Sequence, residues 1–168
     1  MRIRFCAAWG RGVLLACLLG CASASTAQSD GDEISPGDRL SPSSKLTPEQ
    51  VVHIQLEALR LNDARNRGIE VAFRFASPDN KLHTGPLPRF ISMMQEGPYS
   101  LMLAYENVAY DPVEVSDDRA RQRVTLIGSG LVVAYEFYLS RQTEGPCTGC
   151  WLTDAVIAKR PSGLHVRS

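Results

Sequence analysis

Arg119-Ala120-Arg121-Gln122-Arg123-Val124-Thr125-Leu126-Ile127-Gly128-Ser129-Gly130-Leu131-Val132-Val133-Ala134-Tyr135-Glu136-Phe137-Tyr138-Leu139-Ser140-Arg141 is the stretch that decides the fold. Side chains alternate with period two on both sides of a Gly-Ser-Gly turn, the pattern of a hairpin. If Ser129-Gly130 are the two turn residues, Gly128 faces Leu131. Leu126 then faces Val133, Val124 faces Tyr135 and Ala120 faces Leu139, which gives one apolar face. The other face sets Arg123 opposite Glu136, Arg121 opposite Tyr138 and Arg119 opposite Ser140. A slip of one residue scrambles both faces, so the register is strongly specified.

Working outward, the same alternation predicts strands over Leu101–Tyr110, Val113–Val115 and Trp151–Ala158, with Ser116-Asp117-Asp118 as a turn. N-terminal to these the period is helical. Thr47-Pro48-Glu49-Gln50 is a helix start, with Thr47 as cap, Pro48 at the first helical position and Gln50 closing a capping box. Val52, Leu56 and Leu59 then fall on one face as far as about Asn62. A second helix is expected over Ile69–Ala76, ended by Ser77-Pro78-Asp79-Asn80. A third begins at Thr84-Gly85-Pro86 and runs to about Met94, where Gly97-Pro98 follows. Three helices and then an antiparallel meander make an α+β domain.

The N-terminus reads as a bacterial-type export signal. Arg2, Arg4 and Arg11 form a basic region without acids, Val13–Leu19 is apolar, and small residues run from Gly20 to Ala27. The apolar run is short of the roughly 20 residues that span a bilayer. Two processing readings stand. Leu18-Leu19-Gly20-Cys21 resembles a lipobox, which would place a lipid on Cys21, whereas Ala22-Ser23-Ala24 and Ser25-Thr26-Ala27 suit an ordinary signal peptidase. The expected organisation is a signal over 1–27 (or 1–20), a disordered polar linker over 28–46, a domain over 47–160 and a loose tail over 161–168. The protein is thus expected to be exported, periplasmic, and either soluble or membrane-tethered through Cys21.

Removing the signal takes away three of the 18 basic residues and none of the 18 acidic ones, leaving a net charge of −3. That balance argues against nucleic acid and against a polybasic grip on anionic lipid. Of the five cysteines, Cys147 and Cys150 remain in the domain. In an oxidising compartment this pair is expected to form a disulfide. Their CxxC lies in a Gly-rich turn before a strand, not at a helix N-terminus that would activate a thiolate. His53, His83 and His165 share no ligand spacing, so no metal and no cofactor is expected.

Several segments also resemble the bacterial and plastid domain-of-unknown-function family numbered 4864. They are Phe73-Arg74-Phe75-Ala76-Ser77-Pro78, Thr84-Gly85-Pro86-Leu87 with Arg89-Phe90, Arg119 to Val124, Tyr138 to Gln142, and Gly149 to Asp154. The resemblance covers nearly all of Val51–Ile157. The family is similar to the cone-shaped SnoaL, ketosteroid isomerase and nuclear-transport-factor-two fold, in which helices cross a curved antiparallel sheet and leave a pocket. That likeness implies a cone, and pairing of two copies through the sheet face, which Arg119, Arg121 and Arg123 could serve. It implies no activity and carries over no catalytic residue.

Three functions are weighed on these residues. The first is a non-catalytic envelope domain that binds a small apolar ligand or a protein partner, with Phe73, Phe90, Met94, Tyr99, Tyr105, Tyr135 and Phe137 as pocket candidates. The second is an isomerase or hydratase with Asp154 as base and Tyr105 or Tyr135 as polariser. Asp154 lies on the apolar side of the last strand if Leu152, Val156 and Ala158 face inward. It lies outside if Trp151, Thr153, Ala155 and Ile157 do. The third is thiol exchange at the CxxC. No nucleophile elbow, P-loop, dinucleotide fingerprint or HExxH occurs, which favours binding over catalysis.

Overall fold

The computed structural model describes residues 40–159, all within the compact unit Glu33–Ser168. The expected export signal over 1–27, Cys21 and the tail after Lys159 lie outside the described residues.

Among the described residues, four α-helices and a 3-10 helix precede a five-stranded antiparallel sheet. Helix α1 spans Pro48–Arg60 and opens on the expected capping box: Thr47 Oγ1 accepts from the Gln50 N–H, and the Thr47 N–H donates to Gln50 Oε1 at 2.9 Å. Its buried stripe is Val51, Val52, Gln55, Leu56 and Leu59. Helix α2 spans Arg67–Arg74. The two helices approach closely at Gly68, where a Cβ would run into the Ala58 carbonyl oxygen.

Periodicity predicts three helices; the chain forms α3 over Pro78–Thr84 and α4 over Leu87–Gln95 as separate elements. Ser77-Pro78-Asp79-Asn80 does not merely stop α2. Ser77 Oγ accepts from the Asn80 N–H at 3.2 Å, so the segment starts a new helix, as Thr47-Pro48-Glu49-Gln50 does. A second difference falls at the expected strand 101–110. Gly97–Leu103 is a 3-10 helix that buries Leu101 and Met102, and strand β1 begins only at Asn107. The short apolar run serves the core from a helix, an ambiguity that periodicity alone does not resolve.

Strand β1 (Asn107–Tyr110) and strand β2 (Glu114–Ser116) pair in succession with strand β3 (Arg119–Gly128), on either side of Pro112. Strand β3 pairs with strand β4 (Leu131–Arg141) in the predicted register, including Val124↔Tyr135, Leu126↔Val133 and Arg123↔Glu136. Ser129 and Gly130 both have positive φ, 51° and 73°, the backbone that a tight two-residue hairpin requires. Strand β5 (Trp151–Lys159) completes the order β1-β3-β4-β5. The core gathers Val52, Leu56, Ile69 and Phe75 from the helical side with Val124, Leu126, Tyr135 and Phe137 from the sheet.

Strand β5 carries a bulge. Tyr138 pairs with Ala155 and Leu139 with Thr153, so Asp154 is the extra residue. This settles the two alternations open for this strand in favour of neither. Before the bulge Trp151 and Thr153 face the core, and after it Val156 and Ala158 do, while Ile157 is 43% exposed. The segment joining α2 to α3 lies along β5 here: the Ser77 N–H donates to the Thr153 carbonyl, and the Thr153 N–H donates to the Phe75 carbonyl, each at 2.9 Å.

Candidate functional site

The bulge and the α3 start border a cavity of about 410 Å³ between the helices and the sheet. Helix α4 supplies Phe90, Met93 and Met94, the 3-10 helix Tyr99 and Met102, strand β4 Phe137 and strand β5 Thr153 to Val156. Met93, Met94 and Met102 are, with Met1, all the methionines of the chain, and three of the four therefore line one space. Unbranched thioether side chains adapt to irregular volumes and are suited to an apolar guest.

The polar groups deep in the cavity are internally satisfied. Gln55 Nε2 donates to the Ala72 carbonyl at 3.0 Å, and Gln55 Oε1 accepts from Thr153 Oγ1 at 2.6 Å. The Tyr99 hydroxyl donates to the Val156 carbonyl at 3.0 Å. Asn80, His83 and Thr84 approach from α3, and Asp154 from the bulge.

Of the seven pocket candidates, the structure brings Phe90, Met94, Tyr99 and Phe137 to this cavity. Phe73 packs against Phe90, ring centroids 5.1 Å apart, and Lys81 Nζ lies over the Phe73 ring, 5.4 Å from its centroid. Tyr105 is buried and donates to the Leu56 carbonyl at 3.3 Å; Tyr135 donates to the Pro98 carbonyl. Burial pushes the Tyr135 phenol up to about 12 and raises that of Tyr105. Both are neutral donors spent on backbone. Asp154 reaches the cavity rim, but its carboxylate accepts from Ser140 Oγ at 2.9 Å and faces the Arg119 guanidinium at 3.4 Å. Ser140 and Arg119 lie on the face away from the core. The expected pair of Asp154 with Tyr105 or Tyr135 is thus not assembled around one point.

Two of the three arginines in the row, Arg119 and Arg121, are locally partnered, though not as the strand pairing suggested. Arg121 bonds Glu114 at 2.8 Å. Glu136, opposite Arg123 in register, instead accepts from the Tyr138 hydroxyl at 2.7 Å and pairs with Lys159 at 3.2 Å; these contacts lower its carboxyl below the usual range. Such exposed pairs contribute roughly 0–1 kcal/mol each.

A second and larger concavity, about 500 Å³, lies between α1, α2 and β1. There the His53 ring stacks on Tyr110 with centroids 3.8 Å apart. Its charged residues serve the helices: Glu57 pairs with Arg60 and Asp63 with Arg67. Its apolar wall includes Leu61, 64% exposed, so it is a surface groove more than an enclosure. Cys147 and Cys150 lie at disulfide distance in the β4–β5 connection, with Cα atoms 5.5 Å apart and Cys150 buried. Among the described residues no three of His, Cys, Asp and Glu come together as metal ligands, and no helix is long and apolar enough to cross a membrane.

Residues 42–164 match the family described as Domain of unknown function (DUF4864). The chain belongs to this family. No curated protein and no solved structure matches it. The matched region of this DUF4864 member contains every residue of the cavity, from Gln55 to Val156. Sequence reasoning missed Gln55, Asn80, His83, Thr84, Met93, Met102 and Thr153 as cavity residues. The helix-start grammar of Ser77-Pro78-Asp79-Asn80 was the available signal for the three on α3.

Proposed function

We propose that this protein is an exported, non-catalytic binding domain whose cavity between helices and sheet receives a small apolar ligand. The observation that carries the reading is chemical. The cavity is walled by methionines, aromatics and aliphatics, and its deepest polar groups are already bonded to one another, as Gln55 is to Thr153. An apolar body can fill such a space without stranding a polar group in its depth. The domain's proposed likeness to the cone-shaped SnoaL type is supported by helices on one side of a sheet that a bulge bends at β5. Export, with Cys21 lipidated or removed, is part of the same proposal and rests on the order of basic, apolar and small residues at the N-terminus.

A titration with Nile red, a neutral apolar dye, tests the binding reading. Saturable fluorescence enhancement is expected, and Met93→Trp, which fills the cavity from a half-buried position on α4, should weaken it about tenfold, the loss of roughly 1.4 kcal/mol, with the far-UV circular dichroism unchanged. A linear, non-saturating response that Met93→Trp leaves untouched would refute it.

A further inference from the structure

The cavity rim is one-sided in its hydrogen bonding. Three polar residues remain there once Gln55, Thr153, Tyr99 and the Asp154 carboxylate, all bonded elsewhere, are set aside: Asn80, His83 and Thr84. In each, a donor is turned inward. Asn80 Nδ2 donates to the Thr153 carbonyl at 2.9 Å, which fixes the amide orientation; Oδ1 has no donor among the described residues and stays open to solvent at the rim. Thr84 Oγ1 donates to the Asn80 carbonyl at 2.9 Å, leaving its lone pairs. His83 Nδ1 sits 2.7 Å from the Asp79 carbonyl. A carbonyl only accepts, so Nδ1 carries a proton, and in the neutral ring Nε2 presents a lone pair. No lysine or arginine lines the cavity.

From this we infer that the ligand carries a hydrogen-bond-donating, non-anionic head, an alcohol or an amine, on its apolar body. The inference rests on the binding reading above and adds the class of the head group. A hydroxyl or ammonium entering tail-first can donate to Asn80 Oδ1 or His83 Nε2. A carboxylate or phosphate brings only acceptors to a rim of acceptors, and its charge finds no cation in exchange for the water it sheds. Leaving an acceptor such as Asn80 Oδ1 dry and unpaired carries a penalty that a donor head removes.

Three molecules with one tail separate the possibilities: 1-decanol, decylamine and decanoate, titrated below their aggregation limits at about pH 8 into the full chain and followed by displacement of Nile red. The alcohol and the amine should each bind about tenfold or more tighter than the carboxylate, the difference expected for one unpaired polar contact. His83→Lys, at an exposed rim position, should raise decanoate affinity by a similar factor while decanol binding falls or holds. Decanoate binding the unaltered protein as tightly as decanol would overturn the head assignment and leave the apolar cavity standing. So would a His83→Lys variant with no gain for decanoate. Failure of all three, with Nile red also unbound, would instead overturn the cavity reading itself.

Discussion

Thr153 joins the sheet to the helices at a single residue. Its hydroxyl donates to Gln55 Oε1, its carbonyl accepts from Asn80 Nδ2 and the Ser77 N–H, and its own N–H reaches the Phe75 carbonyl. Thr153→Val keeps the shape and removes the hydroxyl, so Gln55 Oε1 loses its donor in a buried site. The expected cost is about 1–3 kcal/mol by urea unfolding; a change within experimental error would show that Gln55 finds another donor. Asp63 provides a contrast on the surface. The Arg67 N–H and guanidinium, with the Arg65 N–H, bond its carboxylate and lower its pKa below the usual value of 3.8. A carboxyl depressed on folding stabilises the native state above its unfolded pKa, and the contribution is lost as pH falls through the lower native value. Asp63→Asn should therefore be less stable than the parent at about pH 7, and the two should converge at about pH 2. A gap that persists at the acid end would contradict the assignment.

Among the elements, the β3–β4 hairpin was fully legible, because its apolar and charged rows admit one register and its turn residues match that register. Helix α1 was legible for the same reason, its cap and its stripe agreeing. Helix α3 was not, although Ser77-Pro78-Asp79-Asn80 repeats the grammar of Thr47-Pro48-Glu49-Gln50. The segment that follows, Lys81-Leu82-His83-Thr84, lacks an apolar stripe, and Leu82 is 80% exposed. Without a buried face, periodicity is silent. The bulge in β5 was hidden for a related cause: alternation tells which residues share a face only while the ladder is unbroken, and inserting Asp154 swaps the faces midway. The β4–β5 connection is closed by the Cys147–Cys150 pair and by a ladder in which the Gln142 N–H donates to the Cys150 carbonyl at 2.8 Å. A loop this small restricts the unfolded chain only modestly. Cys147→Ser with Cys150→Ser should lower stability by about 2 kcal/mol while leaving the sheet's circular dichroism in place. Loss of the β4–β5 pairing would mean that the crosslink, and not the ladder, holds the connection.

For the domain as a whole, the helical layer and the sheet enclose a volume that no single element announces. The aromatics at strand and helix spacings were read as pocket candidates, yet Phe73, Tyr105 and Tyr135 were taken by the packed interior and by backbone carbonyls. Met93 and Met102, which no sequence pattern singles out, converge with the expected Met94 on the cavity because α4 and the 3-10 helix pack together over it. Sequence spacing carries no information about that convergence, since Met94 and Met102 lie on different elements. The same three side chains provide the most direct measurement of the central proposal. With the methionine methyl groups labelled with carbon-13, decanol should move the Met93, Met94 and Met102 resonances together along one saturating curve. Resonances that stay in place while the apolar ligand binds would put the ligand elsewhere and contradict the cavity as its site.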